Sequence, residues 1–412
     1  MANFGVLCPP SPSHITGFAA IGRELTPRGH RVTLFNILDT QGIANRERLE
    51  FKPLGVQKFP PGFYKRYLAS QAASGGLKGI QLALNTAAAE IDMWIDEGVD
   101  RVRSTGVDLL LVDKIEFVGS TVAEILKIPF VTVCNACITD RRNPSAPPTG
   151  WPYSDSSFAR LRNRAAWGII DLFMSPLKQR INRHRRVKHL KPIDCLTETS
   201  SPYAEIAQQT QEFDYPRLPN DRFHYIGVFQ RGSEDILSFP FERLNGKPLL
   251  YATFGTISRA APGALQTLCR ASGELGMQLV LGLGGTADAS DYRGLGEETI
   301  VASYAPQRAL LKRATLTFCH SGLNTVLESL ACGVPVLAIP TDLERQSVAA
   351  RLVRSGAGEK IHLREISCSL LKELLGRLAT EAGYRQNAER IGASIERAGG
   401  ERRAADIIEG FV

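Results

Sequence analysis

Two doubly wound α/β domains in tandem are what this sequence predicts, and three observations predict them. Apolar runs of strand length alternate with helix-length stretches along the chain, the pattern of parallel sheets covered by helices on both faces. The alternation breaks once, across the loop-rich segment 230–247 that holds Gly232, Pro240 and Gly246, and then restarts. A length of 412 residues, with 43% hydrophobic and 22% charged residues, suits two ordinary globular domains. The expected division is residues 1–230, a linker at 231–247, and 248–412 with its last helix returning to the first domain.

In the first half the apolar run 4–8 reads as a strand, 14–28 as a helix and 31–35 as a strand. A long helical region follows over 79–103, then strand 108–112, helix 118–126 and strand 129–133. Residues 141–153, RRNPSAPPTGWPY, are proline-rich and read as an extended loop. The second half opens with strand 248–254, helix 264–276 and strands 278–283 and 299–302. It continues through strand 316–319, a helix patterned over 326–332 and strand 336–339, and ends in helices. Gly282-Leu283-Gly284-Gly285-Thr286 lacks the spacing and the following helix of a dinucleotide fingerprint, so it reads as a turn after a strand. Two such domains leave a ligand cleft between them, at the carboxyl ends of their strands.

Composition narrows the setting. No run of ~18 apolar residues is present to span a membrane. The start, MANFGVLCPP, lacks the basic region of a secretory signal, and eight scattered cysteines read as reduced thiols, so a cytoplasmic location is expected. Cys134 and Cys137 have redox or half-zinc spacing, but no second pair or histidine stands at ligand distance, and they follow a buried-looking run. The net charge of +7 is partly local: residues 178–191 carry seven Lys/Arg and no acid, directly after the apolar stretch 165–177 with Trp167 and Phe173. Three readings are open for 165–191: a solvated helix face, a peripheral contact with the inner face of a membrane, or a nucleic-acid patch. The last lacks any binding motif, and no nucleic-acid partner is expected.

The stretch 302–346 carries the chemistry. His320, Ser321, Gly322, Asn324 and Thr325 lie between an apolar run and a helical pattern, so a helix opens there with its free N–H groups and positive dipole end exposed. That is an anion site. Ser321 and Gly322 allow close backbone approach, while His320 and Asn324 add donors. Glu328 lies one turn further on the same face, where it suits neutral hydroxyls such as those of a ribose. Tyr304, Ala305, Pro306 and Gln307 offer an aromatic plate for a base on a proline-stiffened turn. Together these describe a pocket for a nucleoside diphosphate.

The same stretch resembles the donor box of the inverting UDP-glycosyltransferases, which runs W-x-P-Q, H-x-G-x-N-[ST]-x-x-E, G-V-P and [DE]-Q. Tyr304 stands for the tryptophan, Gly333-Val334-Pro335 supplies the third motif, and Glu344-Arg345 the last. The wording LLKRATLTFCHSGLNTVLESL and VAARLVRSGAGE is most similar to bacterial carotenoid glucosyltransferases of the zeaxanthin type. The resemblance implies two Rossmann-like domains facing across a cleft (the GT-B type), the first binding the acceptor and the second the donor. It implies an enzyme that moves a hexose from a UDP-sugar, a co-substrate rather than a cofactor, to a hydroxyl of a hydrophobic small molecule such as a carotenoid or other lipid. Polyketide, macrolide or phenolic acceptors are the alternative, and a non-catalytic helper of the same fold is the alternative of another class.

The resemblance also assigns roles. Such a reaction needs a base for the acceptor hydroxyl and a group to orient that base. The family places a histidine in the turn after the first strand, here His14, upstream of Arg28-Gly29-His30-Arg31-Val32-Thr33. It places an aspartate at the end of a D-L-x-[VL]-x-D strand, here Asp113. Thr256, after the second domain's first strand, resembles the family's second phosphate contact. Glu344 is expected to accept from sugar hydroxyls. Arg345 departs from the usual glutamine and has three roles open: a surface residue, a partner for a sugar carboxylate, or a donor to neutral hydroxyls. No metal site is expected, since DxD, HExxH and clustered Cys/His patterns are missing.

Overall fold

The computed structural model describes residues 1–74, 76–138, 141, 147–229, 239–254, 262–285, 292, 295–296 and 298–412. The first half runs β1 (Asn3–Leu7), α1 (Pro12–Leu25), β2 (Arg31–Asn36), α2 (Gln41–Arg46), β3 (Glu50–Pro53), α3 (Phe63–Ala73) and α4 (Gly76–Met93). After a π-helical turn at Trp94–Gly98 it continues with α5 (Val99–Ser104), β4 (Leu109–Asp113), α6 (Gly119–Leu126), β5 (Phe130–Cys134), α7 (Ser157–Val187), β6 (Glu205–Ala207) and β7 (Phe223–Tyr225). The second half comprises β8 (Leu249–Thr253), α8 (Pro262–Glu274), β9 (Gln278–Gly282), β10 (Ile300–Ala302), α9 (Gln307–Leu311), β11 (Leu316–Cys319) and α10 (Leu323–Ala331). Then come β12 (Val336–Ala338), α11 (Leu343–Ser355), β13 (Gly358–Lys360), α12 (Cys368–Thr380), α13 (Ala382–Arg397) and α14 (Gly400–Glu409).

Both sheets are parallel and wound alike. The first is ordered β3-β2-β1-β4-β5-β6-β7 and the second β10-β9-β8-β11-β12-β13. In each, the order reverses between two central strands, β1 and β4 in the first and β8 and β11 in the second. The crevice at such a switch point is where α/β sheets bind ligands. The central strands are buried on both faces and accordingly read as unbroken apolar runs. The strands that the periodicity missed, β3, β6, β7 and β13, have three or four residues and include Glu50, Lys52, Glu205, His224 and Lys360. Three of them are sheet edges, where short polar strands discourage pairing with other chains.

Of the segment 231–247 expected as a linker, 231–238 lie outside the described residues. The remainder folds onto the second sheet: Phe239 is buried with Leu249, Tyr251 and Val280, and Arg313 lies 4.6 Å over the Phe241 ring. The last helix returns to the first half. Ala404, Ala405 and Ile408 of α14 join the core of α1 and β1, and Arg28 donates to Asp406 and Glu409, each at 2.6 Å. His30 bridges Ala2 N–H and Glu409, so it ties the amino terminus to the carboxyl-terminal helix.

The two halves meet across a polar interface centred on Arg351 of α11. Its guanidinium donates to Asp214 at 2.9 Å, to the Ser347 hydroxyl at 2.6 Å and to the Ile138 carbonyl at 3.0 Å, and it lies 4.1 Å over the Tyr215 ring. Asp214 also accepts from Arg217 and from the Tyr225 hydroxyl. Both members are almost fully buried. Burial opposes the Asp214 charge, yet Arg351 and Arg217 outweigh it and hold the carboxyl below its ordinary pKa. Breaking a buried pair leaves one charge uncompensated, at a cost of about 3–5 kcal/mol. Arg351→Met is therefore expected to lower the free energy of unfolding by that amount in urea titration, while Arg31→Met, which breaks an exposed pair, should change it by less than about 1 kcal/mol.

Candidate active site

His14 enters through local geometry. The extended backbone of Ser11 and the proline at the first helical position start α1 directly after β1, so His14 falls in the first turn at the sheet's switch point. Its Nδ1 lies 2.7 Å from Asp113 Oδ2, at the end of β4. Asp113 is held in turn by Asn135 Nδ2 at 3.0 Å and by the Ile115 backbone N–H at 3.1 Å. Gly17 allows this: a Cβ there would stand 2.3 Å from Asn135 Oδ1. Burial works against a charged His14, but the charge and hydrogen bond of Asp113, with a smaller contribution from Glu344 across the cleft, raise its pKa above the ordinary value of 6.5.

Opposite, β11 turns into α10, which starts at Leu323, three residues earlier than the periodicity indicated. Asn324 and Thr325 thus belong to the first helical turn. Ser321 takes a left-handed backbone (φ 66°), rare for a residue with a side chain and characteristic of functional turns. The His320 imidazole lies against Gly322, where a Cβ would come within 2.7 Å of Nε2. Burial, then the positive charge of Arg345, lowers the His320 pKa to about 4, so at neutral pH His320 is an uncharged hydrogen-bond donor. Asn324 Oδ1 accepts from Gln208 Nε2 at 2.6 Å, which leaves the Asn324 amino group as its donor.

The plate and the carboxylate sit on either side. Tyr304 is 55% exposed, and its ring occupies the space a Cβ on Gly285 would fill, 2.1 Å from the hydroxyl. Gly285 has a φ of 74°, so the turn read from the glycines also makes room for the plate. Ala305 follows it, packed 3.3 Å from where a Gly282 Cβ would lie. Gln307 donates to Glu328 at 2.5 Å and accepts from the Tyr251 hydroxyl at 3.2 Å. Gln307 therefore fixes the buried Glu328 carboxylate. Thr256 lies outside the described residues.

Glu344 reaches across the cleft and accepts the Cys137 backbone N–H at 3.3 Å. The Arg345 side chain is 16% exposed and folds back onto Asp342 and the Thr341 hydroxyl. Asp342 caps α11 by accepting the Arg345 backbone N–H. Cys134 and Cys137 are buried apart, against Glu205 and Ser347. On the first domain's side a cavity of about 230 Å³ lies beside the turn that leads to His14, walled by Phe63, Tyr64, Tyr67 and Leu177.

Two doubly wound domains, with a paired histidine and aspartate facing a helix start across the cleft, have the form of a glycosyltransferase of the GT-B type. The UDP-glucoronosyl and UDP-glucosyl transferase family matches residues 91–397, and the chain belongs to it. It is 32% identical over 416 residues to zeaxanthin glucosyltransferase of Pantoea ananas, covering 99% of this chain and 96% of that one. Demethyllactenocin mycarosyltransferase of Streptomyces fradiae is 25% identical, over 100% of this chain and 87% of its own. Among solved structures, the glycotransferase of kitacinnamycin superposes with a TM-score of 0.78 at 18% identity, covering 100% of this chain and 99% of that one.

Two residues of the site escaped sequence reasoning. Asn135 supports Asp113. Gln208, buried after the short strand β6, donates both to the Asn135 carbonyl at 2.7 Å and to Asn324, and so links the histidine–aspartate pair to the start of α10 in the other domain. The signal was a pair of glutamines directly after Ile206 and Ala207. Without Gln208 the Asn324 amide loses its orientation. Gln208→Leu should weaken UDP binding about 10-fold, the effect of one hydrogen bond to a buried group. Calorimetric titration checks this, and unchanged affinity would show that Asn324 is held by other means.

Proposed function

We propose that this glycosyltransferase moves a hexose from a UDP-sugar to a hydroxyl of a hydrophobic small molecule, with inversion, and that His14 is its base. The 2.7 Å contact between His14 and Asp113, facing the start of α10 across the cleft, carries the reading. The acceptor hydroxyl gives its proton to His14 Nε2 as its oxygen forms the bond to the anomeric carbon. Asp113 fixes the tautomer and stabilises the imidazolium. The bond from that carbon to the UDP oxygen breaks with its electrons. The charge on the departing diphosphate falls on the first-turn N–H groups of α10, the neutral His320 and the Asn324 amino group, in place of a metal ion. Tyr304 and Ala305 take the base, and Gln307 presents Glu328 to the ribose. Glu344 and Arg345 meet the sugar hydroxyls. Arg345 is already neutralised by Asp342, which favours neutral hydroxyls over a uronic acid.

A carotenoid or lipid-like acceptor is favoured by the zeaxanthin glucosyltransferase relatives and by α7. Phe158, Leu161, Ile169, Leu172 and Phe173 are exposed on one face of that helix, which also lends Leu177 to the cavity. The exposed stripe corrects the sequence reading in two places. Trp167 is buried, and Arg185 is buried in a pair with Glu124. Arg180 pairs with Asp92. Basic residues facing outward near the helix end include Arg183, Arg186 and Lys188, with Lys191 just beyond. Among the described residues no helix is long and apolar enough to cross a membrane, so any membrane contact through 165–191 is peripheral.

His14→Ala should lower turnover by about 10²–10⁴ while UDP affinity stays the same, because the base and the nucleotide site lie in different domains. The base works only when unprotonated, so kcat/KM of the parent should rise with pH through a pKa above 6.5. Asp113→Asn should move that inflection down. A product screen by mass spectrometry with UDP-sugars and carotenoid, macrolide and phenolic acceptors checks the class, and an active His14→Ala enzyme would reject the assignment.

If α7 docks on lipid, anionic vesicles should bind the protein and neutral vesicles should not. Each basic residue near such a surface contributes about 1 kcal/mol. Replacing Arg183, Arg186 and Lys188 with Gln should therefore release it in a flotation assay and slow transfer to an embedded acceptor, but not to a water-soluble one. Equal flotation of the triple variant would leave the basic residues as a solvated face.

A further inference from the structure

Asn135 follows β5 and is 6% exposed. Its Nδ2 donates to Asp113 Oδ2 at 3.0 Å, the same oxygen that lies 2.7 Å from His14 Nδ1. The second Asp113 oxygen takes the Ile115 backbone N–H. The Asn135 backbone is pinned separately, because its carbonyl accepts from Gln208. The other half of the amide is left over. Among the described residues Oδ1 has no hydrogen-bond partner, and it lies against Gly17 of α1, where a Cβ would come within 2.3 Å. An unpaired buried acceptor costs stability, and turning the amide over would set Oδ1 against the carboxylate. A side chain kept at that cost, with its donor committed to Asp113, calls for a reason in the chemistry. We infer that Asn135 is a positioning residue that tempers the base: by sharing the oxygen His14 uses, it limits how strongly Asp113 holds a proton on the imidazole.

This inference rests on the reading of His14 as the base. A base must be strong enough to take the acceptor proton, yet unprotonated before it does so. The charge of Asp113 helps the first requirement and works against the second, since it favours the imidazolium. The Asn135 N–H sets a positive partial charge on the shared oxygen, which offsets part of that pull without displacing His14. The other charged and titratable groups around the pair are Glu344 of α11, Cys8 after β1, Cys134 of β5, the Lys114–Glu205 ion pair and Glu116 in the turn after β4. All of them stay in place when Asn135 is changed. Removing the Asn135 donor alone therefore raises the proton affinity of His14, whereas removing the Asp113 charge lowers it. A residue that merely held Asp113 in place would show the opposite sign, because a displaced carboxylate pulls less on the imidazole.

The test is a pH titration of the full-length protein followed by NMR of the histidine rings, with His14 assigned by the signal missing from His14→Ala. It runs beside kcat/KM against pH, with UDP-glucose and a hydroxylated carotenoid in detergent micelles. Asn135→Ala should raise the His14 midpoint by about 0.5–1 unit, a change of about 3- to 10-fold in proton affinity. Its kcat/KM should fall by the same factor below the parent's inflection and recover above the variant's own. Gly17→Ala is a second route to the same end, since the added methyl must push Asn135 Oδ1 aside and so draw the donor away from Asp113. It should move the midpoint in the same direction, and it decides the question if Asn135→Ala does not fold. An unchanged midpoint in a folded variant would overturn the inference, and so would a lowered one, which would mark Asn135 as a mere support for Asp113. A raised midpoint with no matching change in the pH dependence of transfer would leave the effect of Asn135 on His14 standing and reject His14 as the base.

Discussion

One buried charge holds the cleft together. The Arg351 guanidinium belongs to the donor half, yet Asp214 and the Ile138 carbonyl, both in the first half, take up two of its donors. An arginine this deep is tolerated only because each face of the fork is met: a carboxylate, a hydroxyl, a carbonyl and an aromatic ring. Around it the contacts that matter for chemistry fall into place. Glu344, about two turns upstream on the same helix, reaches Cys137, and Ser347 links Arg351 to the Cys137 thiol. Moving α11 by a fraction of its diameter would separate all of these at once, so the geometry between the histidine and the donor helix is set by an interaction that touches neither.

The second link between the halves is more direct. From His14 the hydrogen bonds run through Asp113 and Asn135, and the Asn135 backbone leads through Gln208 to Asn324. Each member is buried or nearly so, and each orients the next. Rigid support of this kind matters because a base and a leaving-group site placed in different domains must stay in register during one concerted displacement.

How much of this was legible follows from where each residue sits in the chain. His14, Asp113 and the His320–Glu328 run stand at ends of central strands, and central strands announce themselves as apolar runs. Asn135 meets Asp113 22 residues back on the neighbouring strand, Gln208 pairs with Asn135 and Asn324, 73 and 116 residues away, and Gln208 follows a three-residue strand that leaves almost no periodic signal. Arg351 looked like any helical arginine, because its partner lies 137 residues earlier. The basic run 178–191 misled in the opposite sense. Its charges look uncompensated in sequence, but Asp92 and Glu124, from other helices, neutralise Arg180 and Arg185.

In the proposed reaction the two histidines of the cleft take opposite tasks. Both are mostly buried, and burial alone would strip the charge from each. His14 has Asp113 at hydrogen-bond distance, which overrides burial and makes the imidazole a stronger base. For His320, burial and then Arg345 outweigh the weaker pull of Asp342, so it stays neutral and keeps a proton to donate. A charged His320 would bind diphosphate more tightly both before and after transfer, and tight product binding slows turnover. A neutral donor beside helix N–H groups stabilises the charge as it develops without that penalty. Environments that push two identical groups apart suit them to the parts of proton acceptor and anion stabiliser, and the proposed mechanism uses that difference on opposite walls of one cleft.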